Sequence, residues 1–369
     1  MNVAVLPSCP SATRSAGLRI ALVAPLPDVP GGQAVQARAL ADALKHDGHQ
    51  VTFLPVNPGF PRGLQWLRRY PYVRTLCNQA LYLPSLFRLR QADVVHVFSA
   101  SYWSFVLAPL PAIVAGRLMG KRVVLNYRSG EADDHLSKWG MLVHPWLRLV
   151  DEIVVPSEYL RAVFARHGYR VRVIHNVVDT SRFRYRERLP LRPHLLSTRN
   201  LEPYYDVANT LRAFALLKAL FPDAILTVAG SGSQAEELRR LVSSLNLDGV
   251  RFVGAVEQSF IPALYDAADI FVNSSIVDNQ PVSVLEALAS GLPVVTTGTG
   301  DIASMVRDGD TGLLVPTGNP AALAKAVTSL LDDPDRARLM ARRAKQAMER
   351  HTWVEVRKQW TAVYTGHST

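Results

Sequence analysis

Cysteine is nearly absent from these 369 residues, and the two present, Cys9 and Cys77, are too few for a disulfide framework and lack the paired spacing of a zinc site. No apolar run is long enough to cross a bilayer, no tract is of low complexity, and no repeat recurs at short period. The ten histidines show no ligand spacing, so no metal is expected. Charge is sparse against apolar content, 20% against 48%, which excludes a disordered chain and leaves enough hydrophobic residues for two domain cores. Residues 1–17, with Pro7, Pro10 and several serines, lack the apolar stretch of a signal peptide, and are expected to form a flexible leader outside the fold of a cytosolic chain.

Acidic residues are short in one half only. Residues 1–190 hold 24 Lys and Arg against 12 Asp and Glu, whereas 191–369 hold 17 against 19. A basic first half either faces something anionic, such as a membrane surface, a lipid phosphate or a nucleic acid, or carries a solvated basic face. The bias peaks in 58–92, where Arg62, Arg68, Arg69, Arg74, Arg88 and Arg90 meet no acid and alternate with Phe60, Trp66, Leu67, Tyr70, Tyr72, Leu86 and Phe87. Cations with apolar anchors suit a segment lying on anionic lipid, so the expected partner is a membrane surface and not a nucleic acid. The alternative is that these aromatics pack beneath a loop.

From Leu18 onward, short β-branched runs alternate with longer helical ones, the pattern of βαβ units around parallel sheets. Strands are expected at 19–24, 49–54, 93–98, 121–127, 153–156 and 171–174, then at 194–198, 224–229, 250–252, 270–273 and 293–296. The polar, basic stretch 179–193 with its two prolines reads as a linker. Residues 320–364 read as helix with breaks near Pro334 and His351. Two parallel-sheet domains leave a cleft between the carboxyl ends of their strands, where such folds bind ligands.

The most informative segment is 273–295, NSSIVDNQPVSVLEALASGLPVV, a strand, a loop and a helix with Asp278 and Glu286 eight positions apart. A helix starting near Val282 turns its free N–H groups and positive dipole end onto Asn279, Gln280, Pro281, Val282 and Ser283, a ready diphosphate site. Glu286 falls one turn inside, where a carboxylate accepts from ribose hydroxyls, and Asp278 precedes the helix within approach of a transferred sugar. A plain amphipathic helix with Asp278 in a turn is the simpler alternative.

The segment resembles the retaining glycosyltransferases of family 4, which have the GT-B fold of two Rossmann-like domains facing across a cleft. The resemblance is collinear over nearly the whole chain. Gly31 and Gly32 match the family's glycine pair near the diphosphate, and VDEIVVPSEYL followed by IHNVVDTSRF matches its end-of-domain signature. Thr198 to Leu201 match the segment that supplies its phosphate-binding arginine, here Arg199, and TWVEVRKQWTAVY is similar to its final helix, which crosses back to the first domain. The resemblance implies an acceptor domain at 18–185 carrying the helix 351–369, and a donor domain at 186–350. It further implies a nucleotide-sugar donor, a small-molecule, glycan or lipid-linked acceptor, transfer with retention, no cofactor or metal, and a cytoplasmic place at the membrane's inner face.

Three positions depart from the family pattern. Asp278 stands where a glutamate is usual, Tyr204 stands near the expected lysine with Tyr205 next, and Arg128 stands where a histidine often ends a strand, His135 being well downstream. A tyrosine donates one hydrogen bond without charge, so the departing phosphate loses a stabiliser. The roles implied are Arg199 for the diphosphate, Glu286 for ribose, Asp278 for the sugar, and Arg128 for an acceptor or donor contact.

A second glycine pattern, AGSGSQA, places Gly230, Gly232 and Ala235 like a dinucleotide fingerprint. The acid such a site needs at the end of the next strand is missing, because Asp248 precedes that strand and Val253-Gly254 ends it. The family reading uses the same loops, with Val253 and Gly254, to contact the nucleotide. Asp308-Gly309-Asp310 reads as a turn and not as a metal motif. A catalytically impaired binding subunit and a dinucleotide-dependent oxidoreductase remain as alternatives.

Overall fold

The computed structural model describes residues 17–26, 32–61, 63 and 65–367. The leader to residue 16, Gly31, Arg62 and the side chain of Arg68 lie outside the described part. The described strands form two six-stranded sheets in which every pairing is parallel. The first holds β1 (Arg19–Ala24), β2 (Gln50–Pro55), β3 (Val94–Ser99), β4 (Arg122–Tyr127), β5 (Glu152–Val155) and β6 (Arg172–Val173), in the order β2-β1-β3-β4-β5-β6. The second holds β7 (His194–Ser197), β8 (Ile225–Ala229), β9 (Val250–Gly254), β10 (Ile270–Asn273), β11 (Val294–Thr297) and β12 (Leu313–Val315), in the order β12-β11-β10-β7-β8-β9.

Side chains of a strand alternate between faces, and here both faces are covered by helices, which is why the strands read as unbroken apolar runs. In β1, Ala21 and Val23 enter one core while Ile20, Leu22 and Ala24 enter the other. In β10, Ile270 and Val272 face away from Phe271 in the same manner. The strand order reverses between β1 and β3 in the first sheet and between β7 and β10 in the second. Ligands of such sheets sit outside the carboxyl ends at these switch points, which puts the segments after β7 and β10 side by side.

Three details differ from the sequence reading. Strand β12, three residues long, has no room to display a period of two, and only the turn before it, with Gly309 at φ +72°, was expected there. Strand β6 shrinks to two residues. The stretch read as a linker is pinned to the second lobe. Phe183 and Arg188 are each 4% exposed, and the Arg188 guanidinium donates to the carbonyls of Tyr265, Ala268, Arg186 and Ser290. Burial pulls Arg188 down to about 10, and its basicity serves carbonyl oxygens instead of solvent.

After helices Pro320–Asp332 and Pro334–Ala347, the last helix, Trp353–Thr365, returns to the first sheet. Its Val356, Trp360, Val363 and Tyr364 pack with Ile20, Leu22, Val94 and Val124.

Candidate functional site between the two sheets

The helix Val282–Ala289 starts at Pro281, whose extended backbone (φ −66°, ψ 122°) ends the preceding loop without a side-chain cap. The N–H groups of Val282 and Ser283 face back along the axis, while that of Val284 already donates to the Pro281 carbonyl at 3.2 Å. Arg199, just past β7, reaches this turn: its Nη1 donates to Ser283 Oγ at 3.0 Å and its Nη2 to Asp278 Oδ2 at 2.5 Å. Its guanidinium lies over the Tyr205 ring, 4.0 Å from the centroid, and its buried Nε has no partner among the described residues. The Tyr204 carbonyl accepts from the N–H groups of Ile276 and Val277, so the two switch-point segments are stitched together backbone to backbone.

The first lobe closes on this loop from the other side. Ser157 Oγ donates to Asn279 Oδ1 at 2.6 Å; the Asn176 N–H donates to Gln280 Oε1 at 2.6 Å and its Nδ2 to the Gln280 carbonyl at 2.8 Å. A Cβ on Gly32, the first residue of the helix Gly32–His46, would stand 3.5 Å from Val282, so the starts of the two helices lie side by side. Between the lobes remains a cleft of about 350 Å³, within the span of small-molecule sites.

Most of the expected residues border this cleft: Gly32, Arg128, Arg199, Tyr204, Asp278 and the loop through Asn279, Gln280, Pro281 and Val282. Gly31 lies outside the described residues. Ser283 reaches the site only as an acceptor for Arg199. Glu286 does not border the cleft. It is 6% exposed, with Oε2 accepting from Tyr265 Oη at 2.9 Å, and burial pushes its carboxyl up to about 7. Gly230, Gly232, Val253 and Gly254 also lie off the cleft; Gly230 N–H donates to the Gly254 carbonyl at 2.8 Å, joining the two loops to each other. The glycines of AGSGSQA have a use within the chain itself. A Cβ at Gly230 would lie 2.2 Å from the Arg199 carbonyl oxygen, and one at Gly232 would lie 2.3 Å from that of Leu201. They let the loop press on the Arg199 segment, so the pattern is accounted for without a dinucleotide.

Arg128 follows β4 and donates to Asn126 Oδ1 at 3.4 Å and to Asn176 Oδ1. No carboxylate among the described residues pairs with it, and burial pulls its guanidinium down to about 9. A guanidinium only donates, so Asn126 turns its oxygen to Arg128 and its amide to His96 Nε2, 3.1 Å away. His96 Nε2 therefore accepts, and Nδ1 carries the proton toward Tyr364 Oη at 2.9 Å. His96 is fully buried and burial lowers it to about 3, so it stays neutral. A polar line thus runs from the last helix through β3 and β4 to the cleft. His135 does not line the cleft; it is fully buried, with Nδ1 2.8 Å from Tyr127 Oη.

Sequence reasoning missed Asn176, Tyr205, Glu131 and Gln33, which also line the cleft. Asn176 had a signal, since it comes three residues after β6 at a carboxyl end of the sheet. Tyr205 had one too, standing next to Tyr204 at the position of the family's lysine; Glu131 and Gln33 had none. Among the described residues no group of three or more His, Cys, Asp or Glu is placed to hold a metal, and no helix is long and apolar enough to cross a membrane.

Two family models match the chain consecutively: Glycosyltransferase Family 4 over residues 30–182 and Glycosyl transferases group 1 over 182–347. A glycogen synthase of Mycobacterium tuberculosis is 31% identical over 69% of this chain, which spans 64% of that relative's length. A phosphatidyl-myo-inositol mannosyltransferase of Mycobacterium leprae is 27% identical over 94% of this chain and 96% of its own. Among solved structures, Anabaena HepE in complex with UDP and glucose superposes with a TM-score of 0.73 at 18% identity, over 95% of this chain and all of that one.

Proposed function

The chain belongs to the group 1, family 4 glycosyltransferases and has their GT-B fold, and from this premise we propose that it transfers a sugar from a nucleoside diphosphate sugar to an acceptor hydroxyl with retention of anomeric configuration and without a metal ion. One observation carries the reading: Arg199 and Asp278 meet at the amino end of the helix Val282–Ala289, inside a cleft walled by both lobes. In a retaining transfer the acceptor and the departing diphosphate share one face of the sugar, so the protein positions the two and stabilises the departing charge. Arg199, Gly31, Gly32 and the N–H groups of Gln280 and Val282 meet the diphosphate, and Asp278 meets the sugar. The helix dipole and the arginines supply the positive charge that a metal would otherwise bring.

The acceptor is proposed to be lipid-linked, met at the cytoplasmic face of a membrane. Support comes from the exposed Trp66, Tyr72, Leu76 and Phe87, which stand among the exposed Arg69, Arg74, Arg88 and Arg90. The relative named above acts, by its name, on a phosphatidylinositol.

A thermal-shift panel of UDP, GDP, ADP and dTDP sugars tests the donor site, followed by NMR of the product's anomeric proton. Stabilisation by one donor and an unchanged anomer are expected; no stabilisation by any, or inversion, overturns the reading. A second reading, an inactive binding subunit, draws on Tyr204 being uncharged and on Arg199 being already paired. It wins if a donor stabilises the chain but is neither transferred nor hydrolysed.

A further inference from the structure

The cleft is bordered by two arginines, one from each lobe, and they differ in how their charge is met. Arg199 is ion-paired to Asp278 at 2.5 Å. Arg128 donates to two amide oxygens, those of Asn126 and Asn176, and lies 5.3 Å from the Phe98 ring centroid, with no acid paired to it among the described residues. Tyr204, beside Arg199, adds no cation.

Both arginines converge on one helix start. Arg199 donates to Ser283 in its first turn, and Asn176, which accepts from Arg128, donates to the carbonyl of Gln280, two residues before Val282. An anion at that amino end is therefore flanked by Arg199 on the second lobe's side and by Arg128 on the first's. We propose that Arg128 is the principal counter-charge for the donor's diphosphate, so that the leaving group is gripped across the cleft by both lobes and not by the donor lobe alone. The inference rests on the reading that the cleft takes a nucleoside diphosphate sugar.

Three features support it. A guanidinium without a counter-ion gains more from an incoming anion than one that must first loosen its own carboxylate. Among the described residues only two of its five N–H donors are used, which leaves donors of its planar fork for phosphate oxygens. The line Tyr364–His96–Asn126, each member within 4% of full burial, fixes its direction. That costly arrangement aims a charge at the cleft, where a merely structural arginine would find an acid or a cluster of carbonyls, as Arg188 does.

The test is calorimetric titration of the full chain with UDP, GDP, ADP and dTDP, taking forward the diphosphate that binds best, and with its nucleoside by competition. Arg128→Gln is expected to weaken the diphosphate at least tenfold and leave the nucleoside within twofold, while Arg128→Lys recovers part of the loss. Asn126→Asp supplies an internal counter-ion without shortening the arginine, and is expected to weaken the diphosphate at least threefold; it decides the matter if Arg128→Gln does not fold. Diphosphate affinity within twofold of the parent in a folded variant, or an equal loss for diphosphate and nucleoside, overturns the proposal while leaving the donor reading intact. If the parent chain binds none of the four diphosphates, the donor reading falls, and this proposal with it.

Discussion

Arg199 and Asp278 meet as a hydrogen-bonded ion pair, Nη2 to Oδ2 at 2.5 Å, with side chains 9% and 11% exposed, and they join the segments after β7 and β10 across the sheet's switch point. Each charge has given up water for the other, so removing one strands its partner at a cost of about 3–5 kcal/mol. Arg199→Ala is expected to lower the melting temperature and to reduce kcat about 10²- to 10³-fold, as for loss of a donor to a developing negative charge. Turnover at saturating donor, beside a thermal melt, checks both; an unchanged kcat would remove Arg199 from the leaving group.

Asp278→Asn separates the two partners' roles. The amide still accepts from Arg199 but no longer competes for its charge, so nucleoside diphosphate affinity should rise by about threefold to tenfold. The sugar at the same time loses a carboxylate acceptor, and turnover should drop about tenfold or more. Calorimetry and a rate assay on one preparation settle it, since a simple packing defect would lower affinity and rate together.

Glu286 makes stability depend on pH. Its carboxyl rises from 4.5 to about 7 on folding because burial disfavours the anion. The folded chain therefore holds a proton that the unfolded chain has released across this window, and stability from this group is whole below pH 4.5 and lost as pH rises through 7. Glu286→Gln keeps the neutral shape, so it should match the parent near pH 4.5 and exceed it by about 3 kcal/mol or less above pH 7. Urea melts at several pH values give the difference, and a gap that does not grow with pH rejects the shift.

Apolar strands were legible because burial on both faces of a parallel sheet leaves a continuous signal, and Ile270–Asn273 was found to the residue. The loop before Val282 was legible too, because its order of strand, loop and helix is local. What stayed hidden depends on distant chain segments. Asn176 and Gln280 are 104 residues apart, and nothing in either neighbourhood announces the other. Arg188 looked like linker charge because its partners are backbone carbonyls, which every residue has. Glu286 was expected to face the ligand, but Tyr265, from a helix outside the motif, holds its carboxyl.

The basic, aromatic face offers a membrane test that leaves the cleft alone. Arg74 and Arg88 are exposed, and each cation near an anionic surface contributes about 1 kcal/mol. Arg74→Gln with Arg88→Gln should therefore weaken sedimentation with phosphatidylglycerol vesicles about 30-fold and leave donor binding as it was. Trp66→Ala should also reduce sedimentation, through lost apolar insertion. Parent chain that sediments equally with phosphatidylcholine and phosphatidylglycerol, or with neither, refutes electrostatic docking.

Tyr364 links the last helix to the interior of the first lobe. Its hydroxyl accepts the His96 proton at 2.9 Å in a site with no access to water, and the ring stacks on Trp360 at 5.7 Å. Tyr364→Phe keeps the ring and removes the acceptor, leaving a buried N–H unsatisfied at a cost of about 1–3 kcal/mol. His96 can recover a bond only by moving its proton to Nε2, which then faces the Asn126 amide donor to donor and forces that amide to flip away from Arg128. The variant is thus expected to lose stability and also to weaken nucleoside diphosphate binding about twofold to fivefold, although residue 364 lies outside the cleft. Denaturant melts and calorimetry distinguish the two effects: a stability loss with unchanged diphosphate affinity would make Tyr364 a packing residue and disconnect the last helix from the site.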